Sequence, residues 1–214
     1  MTATEALDRI LKARVVPIIR TRSAPWAVEV AEILVASGLP LVEVTFTVPD
    51  AERVIADLRD RFPEVLVGAG TVTKRATAER AVAAGAQFLV SPALSPDMVA
   101  VARRHGLLAV PGAFTPTEVI AALEAGAELV KIFPAESGGP SHIRALQGPF
   151  PGVRLMPTGG VRPETAAEWF AAGAAAVGIG ASLVGPGDRP VDPTALQARV
   201  GTLRQALEAV PPRS

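Results

Sequence analysis

Short apolar runs recur along the chain, and each is bounded by Gly or Pro. Their residues are mainly Val, Ile and Leu, with little of the polar alternation that a half-exposed strand shows. Continuous apolar runs of this kind are typical of parallel strands that are buried on both faces. The pattern predicts eight such strands, at 14–20, 41–46, 65–72, 87–94, 107–114, 129–135, 153–160 and 175–183.

Between these runs, apolar residues recur at helical spacing, with polar residues among them. The predicted helices span 25–37, 74–84, 96–105, 116–125 and 163–172. Four of the five begin at or next to a proline, which suits the first helical turn. Each is followed by a glycine, the residue that most readily adopts a left-handed conformation at a helix end. Residues 1–12 predict an additional N-terminal helix, and residues 193–209 predict the last one.

One junction occurs three times in the sequence, as AAGAQFLV, EAGAELVKI and AAGAAAVGI. Each copy joins a helix end through Gly and Ala to a strand, so the repeating unit is one strand and one helix. Eight such units predict a single domain over residues 1–214, folded as a (β/α)8 or TIM barrel with an extra N-terminal helix. A doubly wound open sheet is the alternative, but the equal units and the absence of GxGxxG after the first strand favour the barrel.

The composition narrows the classes of partner and of site. Lys and Arg number 21, as do Asp and Glu, without any block of like charges, which argues against nucleic acid or an anionic membrane as the main partner. Cysteine is absent and only two histidines occur, so the sequence predicts no disulfide and no metal site. The first residues lack the apolar core of a signal peptide, and no apolar run reaches membrane-spanning length, so we expect a cytoplasmic protein.

Lys131 stands in the middle of a predicted buried strand, in the stretch ELVKIFPAE, although lysine is among the residues least often buried. Glu43 holds a similar place in LVEVTF. If both side chains face the interior, an acid and an amine meet in an apolar space. One interpretation is a structural ion pair. The other is a Schiff-base lysine with Glu43 as general acid and base, because burial favours the neutral amine that attacks a carbonyl.

A second cluster of candidate residues lies near the end of the chain. The stretch PTGG (157–160) follows the seventh predicted strand, and GIGAS (178–182) includes the end of the eighth. The loops after these two strands form the usual phosphate site of a (β/α)8 barrel, and a short helix after the eighth strand would point its N-terminus at the same place. Ser182 adds a hydroxyl donor. The alternative is that the glycines serve only tight turns.

Seven motifs occur in a fixed order along the chain, and together they are far more specific than any one alone. They are VEVTFTVPDA (42–51), VGAGTV (67–72), GAQFLVSP (85–92), VKIFPAE (130–136), GPFP (148–151), PTGGV (157–161) and GIGASLV (178–184). With these motifs the chain resembles the class I 2-keto-3-deoxy-6-phosphogluconate (KDPG) and 4-hydroxy-2-oxoglutarate (KHG) aldolases over nearly its whole length.

The resemblance implies a role for each matching position. It identifies Lys131 as the Schiff-base lysine and Glu43 as its acid/base partner. It places two groups of residues around them. The pyruvyl pocket is implied to contain Thr71, Pro92, Phe133 and Thr158, and the phosphate site is implied to contain Gly159, Gly160, Gly180 and Ser182. Members of this family are typically homotrimers that use no metal and no cofactor other than the covalent lysine intermediate.

The sequence departs from the family pattern at one position. Some members carry an arginine four positions after the glutamate to hold the substrate carboxylate, and Thr47 stands there in this chain. Another branch ends its first strand in arginine, as this chain does at Arg20. We therefore expect Arg20 to anchor the carboxylate, because a guanidinium binds a carboxylate through two parallel hydrogen bonds.

The reaction that the resemblance implies is cleavage of 2-dehydro-3-deoxy-6-phosphogluconate to pyruvate and D-glyceraldehyde 3-phosphate. Cleavage of 4-hydroxy-2-oxoglutarate to pyruvate and glyoxylate is a second activity of the family. Three alternatives stay open at this point. They are an aldolase for the 6-phosphogalactonate epimer, a phosphosugar epimerase or isomerase with Glu43 as base, and a non-catalytic phosphosugar-binding barrel.

Overall fold

A computed structural model describes residues 1–210; the last residues of the predicted domain, 211–214, lie outside the described part. The strands are β1 (Val15–Ile19), β2 (Leu41–Thr45), β3 (Leu66–Gly70), β4 (Phe88–Val90), β5 (Leu108–Val110), β6 (Gly112–Ala113), β7 (Val130–Ile132), β8 (Leu155–Pro157) and β9 (Val177–Ile179). The α-helices are α1 (Ala3–Ala13), α2 (Ala24–Ala36), α3 (Ala51–Arg61), α4 (Arg75–Ala83), α5 (Pro96–Arg104), α6 (Pro116–Glu124), α7 (Gly139–Gln147), α8 (Ala166–Ala171), α9 (Ala181–Val184) and α10 (Pro193–Glu208). Short 3-10 helices span Ala135–Ser137 and Pro163–Thr165.

The strands form two curved parallel sheets. The larger sheet has the order β5-β4-β3-β2-β1-β9, and the smaller one has the order β6-β7-β8. Only Pro111 separates β5 from β6, because a proline lacks the N–H that a strand ladder requires. An isolated parallel bridge between Thr158 and Gly178 connects the smaller sheet to β9. All eight predicted strands are therefore confirmed, and the fifth is interrupted at its proline.

The helices cover the outer face of the sheets, and α1 covers one end of their inner face. Ala6, Leu7 and Ile10 of α1 are buried against apolar residues at or near the starts of the strands. We call this group the inner cluster; its other members include Val16, Leu41, Leu66, Phe88, Leu108, Leu129 and Met156. Burial of each large apolar side chain contributes about 1.5–3 kcal/mol. Thr2 and Glu5 form a capping box at the start of α1, so the predicted N-terminal helix is confirmed.

Two helices were not predicted, although both bury apolar residues in the core. In α3 the buried residues Val54, Ile55 and Leu58 have helical spacing, but the charged residues around them obscure the pattern. In α7 only Ile143 and Leu146 are buried, and the helix follows a Gly-Gly-Pro sequence that reads as a loop. The five predicted helices are confirmed to within a few residues of their ends.

The predicted glycine ends of the helices are confirmed as well. They have positive φ angles between 66° and 110°, the range in which glycine is strongly favoured; they are Gly38, Gly85, Gly106, Gly126 and Gly173. Each turn returns the chain to the next strand. In residues 1–210, the helices are all too short or too polar to cross a membrane.

Candidate active site

Glu43 and Lys131 lie on the inner face of the sheets, one step of strand alternation beyond the inner cluster. Leu41 and Leu129 belong to that cluster, and side chains two residues apart on a strand share a face. Glu43 is fully buried, and Lys131 is 6% exposed. The expectation that both side chains face the same interior is confirmed. The alternation that buries the two leucines therefore also brings the acid and the amine into one region.

The carboxyl group of Glu43 has no protein partner for a hydrogen bond among the described residues, although both oxygens are buried. Burial raises the pKa of Glu43, and the positive charges of Lys131 and Arg20 oppose that rise. A direct ion pair between Glu43 and Lys131, the structural interpretation, is therefore not present. A buried carboxyl group with a raised pKa, whose oxygens accept no hydrogen bond from the described residues, is a candidate for donating and accepting protons in a reaction.

Two glycines leave space for polar side chains of the site, one for Glu43 and one for Thr158. A side chain at Gly70 of β3 would collide with the Glu43 carboxyl group, and one at Gly178 of β9 would collide with Thr158. The sequence prediction missed Gly70. The available signal was the pair of glycines in VGAGTV, because glycine within a buried strand often marks a close approach of another group.

Arg20 follows β1 and reaches the same end of the sheet. It is exposed, and its Nη1 donates to Thr47 Oγ1 at 3.1 Å while its Nη2 donates to Thr71 Oγ1 at 3.2 Å. Thr71 has a φ of 59°, which a β-branched residue rarely adopts. The structure thus brings Arg20 and Thr71 together as predicted. It also places the Arg20 guanidinium beside Thr47, the position at which some relatives carry the arginine.

Three further predicted residues lie near Lys131. The Nζ atom of Lys131 is 5.5 Å from the centroid of the Phe133 ring. Pro92 follows β4, and its backbone packs so closely on Gly112 that no side chain fits there; Gly112 pairs in register with Lys131. Thr158 is buried at the end of β8, next to the strand of Lys131. These residues lie on the strand that carries Lys131 or pack beside it, and they make up the predicted wall of the pocket.

The glycine loop after β8 lies next to this wall. The Phe133 ring packs against Gly159, whose φ is 90°, and Gly160 has a φ of 74°. The positive φ angles alone explain why both positions are glycine, as the tight-turn alternative predicts. The same angles are compatible with a bound anion. Gly180 immediately precedes the short helix α9, as the sequence predicted. The phosphate role of Gly159, Gly160 and Gly180 stays a prediction.

Ser182 of α9 makes a contact that the sequence did not indicate. Its hydroxyl donates to the carbonyl oxygen of Val161 at 2.6 Å. A serine hydroxyl has one hydrogen, so in this structure Ser182 joins α9 to the loop after β8 instead of offering that hydrogen to a ligand. The predicted donor role therefore requires its hydroxyl to rotate when an anion binds.

Glu136 was not among the predicted site residues, yet its side chain packs directly against Gly160. It places a carboxylate at the edge of the proposed phosphate loop. The signal was its position in VKIFPAE, five residues after Lys131. Within residues 1–210, no group of three or more His, Cys, Asp or Glu side chains is arranged to hold a metal ion.

With this geometry in place, comparison with known proteins identifies the family. The family model for KDPG and KHG aldolases matches residues 7–190. The chain belongs to the KDPG and KHG aldolase family. Its similarity extends to named relatives and to solved structures of the same family.

Two curated relatives and one solved structure illustrate the similarity. A 2-dehydro-3-deoxy-phosphogluconate aldolase from Treponema pallidum is 42% identical over 172 residues, which cover 80% of each chain. A 2-dehydro-3-deoxy-6-phosphogalactonate aldolase from Escherichia coli is 33% identical, covering 92% of this chain and 98% of the relative. The KDPG aldolase from Legionella pneumophila, solved with pyruvate captured as a covalent carbinolamine intermediate, is 29% identical with a TM-score of 0.79 and covers 96% of this chain and 97% of that one.

Proposed function

We propose that the protein is a class I aldolase that cleaves 2-dehydro-3-deoxy-6-phosphogluconate to pyruvate and D-glyceraldehyde 3-phosphate. The observation that carries the proposal is the buried Glu43 carboxyl group, which has no hydrogen-bond partner in the part of the chain that the structure describes and lies in the same interior as Lys131. A nucleophilic amine, a proton carrier of raised pKa and the Arg20 guanidinium then serve one reaction. Membership in the KDPG and KHG aldolase family supports this assignment.

The substrate is held at its two ends. Arg20 binds the carboxylate next to the reacting ketone, and Thr71, Pro92, Phe133 and Thr158 enclose the pyruvyl part. The glycines at 159, 160 and 180, together with Ser182, bind the phosphate. Binding energy from the distant phosphate helps to orient the carbon–carbon bond that breaks.

The first half of the reaction forms the electron sink. The neutral Lys131 amine attacks C2 of the ketone and gives a carbinolamine. Protonated Glu43 donates a proton to the departing hydroxyl group, and water leaves as the iminium ion forms. Glu43, now a carboxylate, accepts the proton of the C4 hydroxyl group. The C3–C4 bond breaks, its electrons flow to the iminium nitrogen, and D-glyceraldehyde 3-phosphate is released.

The second half restores the enzyme. The remaining enamine takes a proton from Glu43 at C3, either directly or through a water molecule, and becomes the iminium ion of pyruvate. Water then adds to C2 while Glu43 accepts a proton, and the carbinolamine collapses to pyruvate and the free amine. Glu43 ends protonated, as it began, so the protons balance over the cycle. The proposed cycle uses no metal and no cofactor beyond the covalent lysine intermediate.

We extend the proposal to architecture and assembly: the two sheets make one (β/α)8 barrel, and the chain forms a homotrimer in the cytoplasm. The single residue between β5 and β6, and the bond from Ala175 N to Leu155 O at 2.8 Å beside the Thr158–Gly178 bridge, support the barrel. Exposed Ile120 and Leu123 on α6 suit a surface that a second copy covers. Light scattering after gel filtration is expected to give three chain masses, and one chain mass would contradict the trimer.

The epimeric substrate, 2-dehydro-3-deoxy-6-phosphogalactonate, is the second candidate. The observation that favours it is the arginine at the end of β1 together with threonine at position 47, since this arrangement departs from the branch that carries arginine there. The two epimers differ only in the configuration at C4, so their kcat/KM values decide between them. A ratio above about tenfold in either direction, equivalent to roughly 1.4 kcal/mol of transition-state binding, would assign the preference.

Borohydride trapping tests the proposed mechanism. The protein is incubated with pyruvate and reduced, and the intact mass and the peptide masses are recorded. One reduced pyruvyl adduct on the peptide that contains Lys131 is the expected result. A phosphosugar epimerase or a non-catalytic binding protein would form no adduct.

Lys74 and Lys12 provide the internal control for the trapping, because both are exposed and lie outside the site. Adducts spread over these lysines would indicate unspecific reaction of surface amines and would contradict the assignment of Lys131. A folded protein that gives no adduct at saturating pyruvate would remove the aldolase proposal.

A further inference from the structure

Arg20 is exposed, yet both of its terminal nitrogens donate to neighbouring threonine hydroxyls. The hydroxyl of Thr47, which accepts from Nη1, lies 2.8 Å from Thr45 Oγ1. Thr45 is fully buried, and its Oγ1 lies 3.1 Å from the carbonyl oxygen of Ile19. Arg20, Thr47, Thr45 and Ile19 thus form a continuous series of hydrogen bonds, which we call the threonine chain.

The direction of every bond in the threonine chain follows from its two ends. A carbonyl oxygen only accepts, so the hydroxyl hydrogen of Thr45 goes to Ile19. Thr45 then has no hydrogen left and accepts from Thr47. The hydrogen of Thr47 is therefore used as well, and its oxygen accepts from Arg20, which only donates. The chain has one consistent arrangement, and the positive charge of the guanidinium strengthens its first bond.

The main chain around Arg20 is fixed independently of its side chain. The N–H of Arg22 donates to the carbonyl oxygen of Gly187 at 2.8 Å. Gly187 has a φ of 75°, and a side chain there would collide with the Arg20 carbonyl group. The loop after α9 therefore packs directly on the backbone of Arg20. Backbone and guanidinium are held from different sides of the site.

A guanidinium has five N–H groups, and the two threonine bonds use two of them. Three remain for a ligand, which is more than the two that a carboxylate accepts in parallel. A free arginine side chain loses considerable conformational freedom when it binds a ligand. A guanidinium that is already held avoids part of this loss, and such preorganisation improves affinity.

We propose that Thr47 and Thr45 are positioning residues, which hold the Arg20 guanidinium in the orientation that binds the pyruvyl carboxylate. The inference rests on the proposed function, because it takes the ligand of Arg20 to be that carboxylate. It assigns a role to position 47 that differs from a direct contact with substrate. Thr47 is exposed and contributes little to the core, so its hydroxyl is placed for the arginine and not for stability.

Substitution of Thr47 tests the proposal, because Thr47→Val keeps the shape of the side chain and removes the hydroxyl, while Thr47→Ser keeps the hydroxyl. The measurement is the rate of borohydride trapping on Lys131 as a function of pyruvate concentration. Thr47→Val is expected to raise the half-saturating pyruvate concentration about fivefold, as the loss of one hydrogen bond predicts, with the maximal trapping rate retained. Thr47→Ser is expected to restore the wild-type value.

Methyl pyruvate separates positioning from general damage, since its ester carries no charge for Arg20 to bind. Its trapping is expected to change far less in Thr47→Val than the trapping of pyruvate does. Thr73→Val is the matched control, because Thr73 is exposed in the loop after the neighbouring strand β3 and its hydroxyl makes no hydrogen bond within residues 1–210. Thr45→Val is expected to shift the pyruvate dependence in the same direction by a smaller factor, because Thr47 keeps its own bond to Arg20.

A double-mutant cycle gives the sharpest outcome. If Thr47 acts through Arg20, adding Thr47→Val to Arg20→Ala causes no further shift in the pyruvate dependence. Additive shifts, or equal shifts for pyruvate and methyl pyruvate, would overturn the positioning role. A pyruvate dependence in Thr47→Val that matches that of Thr73→Val would also overturn it. The absence of any wild-type adduct is a different result, because it removes the proposed function itself.

Discussion

The two ends of the strand interior differ in chemistry although the same strands build both. At the amino end, Leu41 and Leu129 pack with α1 in the inner cluster. Two residues further along the same strands, Glu43 and Lys131 replace apolar side chains. A distance of about 6.6 Å along a strand therefore separates a close-packed apolar layer from a layer of titratable groups.

The layers also differ in how completely their groups are satisfied. The inner cluster is apolar, so every member gains from burial. In the layer beyond it, the Glu43 carboxyl group is buried without a hydrogen-bond partner among the described residues, and burying an unpaired polar group costs free energy. Stability and chemistry are thus divided between the two ends of the interior. Substitutions at the two ends are expected to affect different measurements.

The largest expected effect is the loss of activity on substitution of Lys131. Lys131→Met keeps the length and removes the amine, so no Schiff base forms and retro-aldol activity falls to the background rate. The fold is expected to persist, because an unbranched apolar side chain of similar length takes the place of Lys131 in a buried position. Aldehyde release and a thermal melt measure the two properties. Substantial residual activity in the folded variant would refute the assignment of Lys131.

Glu43→Gln is expected to reduce kcat by about 10²–10⁴-fold, the usual contribution of a general acid or base. Its effect on stability depends on pH. Because burial raises the pKa of Glu43, the folded state favours the protonated carboxyl group, and this contribution is present below the ordinary Glu pKa of about 4.3. It is lost as the pH rises through the raised pKa, where the wild type must bury a carboxylate.

The measurement for Glu43 is therefore a series of thermal melts of both proteins between pH 4 and pH 8. The Tm of Glu43→Gln minus that of the wild type is expected to grow with pH, and for a chain of this size each kcal/mol corresponds to about 2–4 °C. The nearby positive charges of Lys131 and Arg20 reduce the difference. A difference that shrinks as the pH rises would show a carboxylate stabilised by the fold, as in a structural ion pair.

Leu129→Ala tests the opposite end on the strand that carries Lys131. Truncation of this fully buried leucine is expected to reduce the free energy of unfolding by about 2–5 kcal/mol, because it removes apolar contacts and leaves a cavity. The kcat of the molecules that remain folded is expected to change little. Urea denaturation and the rate per folded molecule measure both quantities. A large loss of kcat with unchanged stability would contradict the claim that the inner cluster serves stability and the layer of Glu43 and Lys131 serves catalysis.

The smallest expected effect comes from moving the arginine of the site from position 20 to position 47. Nη1 of Arg20 lies 3.1 Å from Thr47 Oγ1, so the side chain at position 47 starts next to the place that the Arg20 guanidinium occupies. Thr47→Arg is therefore expected to recover part of the pyruvate affinity that Arg20→Ala loses, by about three- to tenfold, which is the net contribution of one ordinary hydrogen bond and less than that of a well-placed charged one. The half-saturating pyruvate concentration measures it. No recovery in a folded double variant would mean that position 47 does not face the carboxylate.

Much of the fold is predictable from local pattern alone. The pattern consists of eight apolar runs, helical spacing between them and a glycine after each of the five helices predicted there. These are properties of neighbouring residues, and they indicate the strands and most helices correctly. The helix α3 was not predicted because its four buried residues stand among charged ones. The helix α7 was not predicted because it follows a loop-like Gly-Gly-Pro sequence. In both cases tertiary packing, which the local pattern does not contain, stabilises the helix.

The candidate site divides in the same way. That Lys131 and Glu43 matter follows from their positions in apolar strands, because a charged residue is costly there and few purposes justify it. Whether they form an ion pair depends on the stagger between strands that lie far apart in the sequence. Within residues 1–210, the structure shows that the Glu43 oxygens make no hydrogen bond and that Gly70 leaves room for them.

By itself the sequence determined which residues are strands, which glycines end the helices and which charged residues are out of place among apolar neighbours. Only the tertiary structure decided which hydroxyl meets which partner: Thr47 and Thr71 with Arg20, and Ser182 with Val161. The physical reason is the difference in sequence distance over which the two kinds of interaction act. Propensity and periodicity act within a few residues, whereas a hydrogen bond needs its two atoms about 3 Å apart, a condition that only the assembled sheets and loops set for residues distant in sequence.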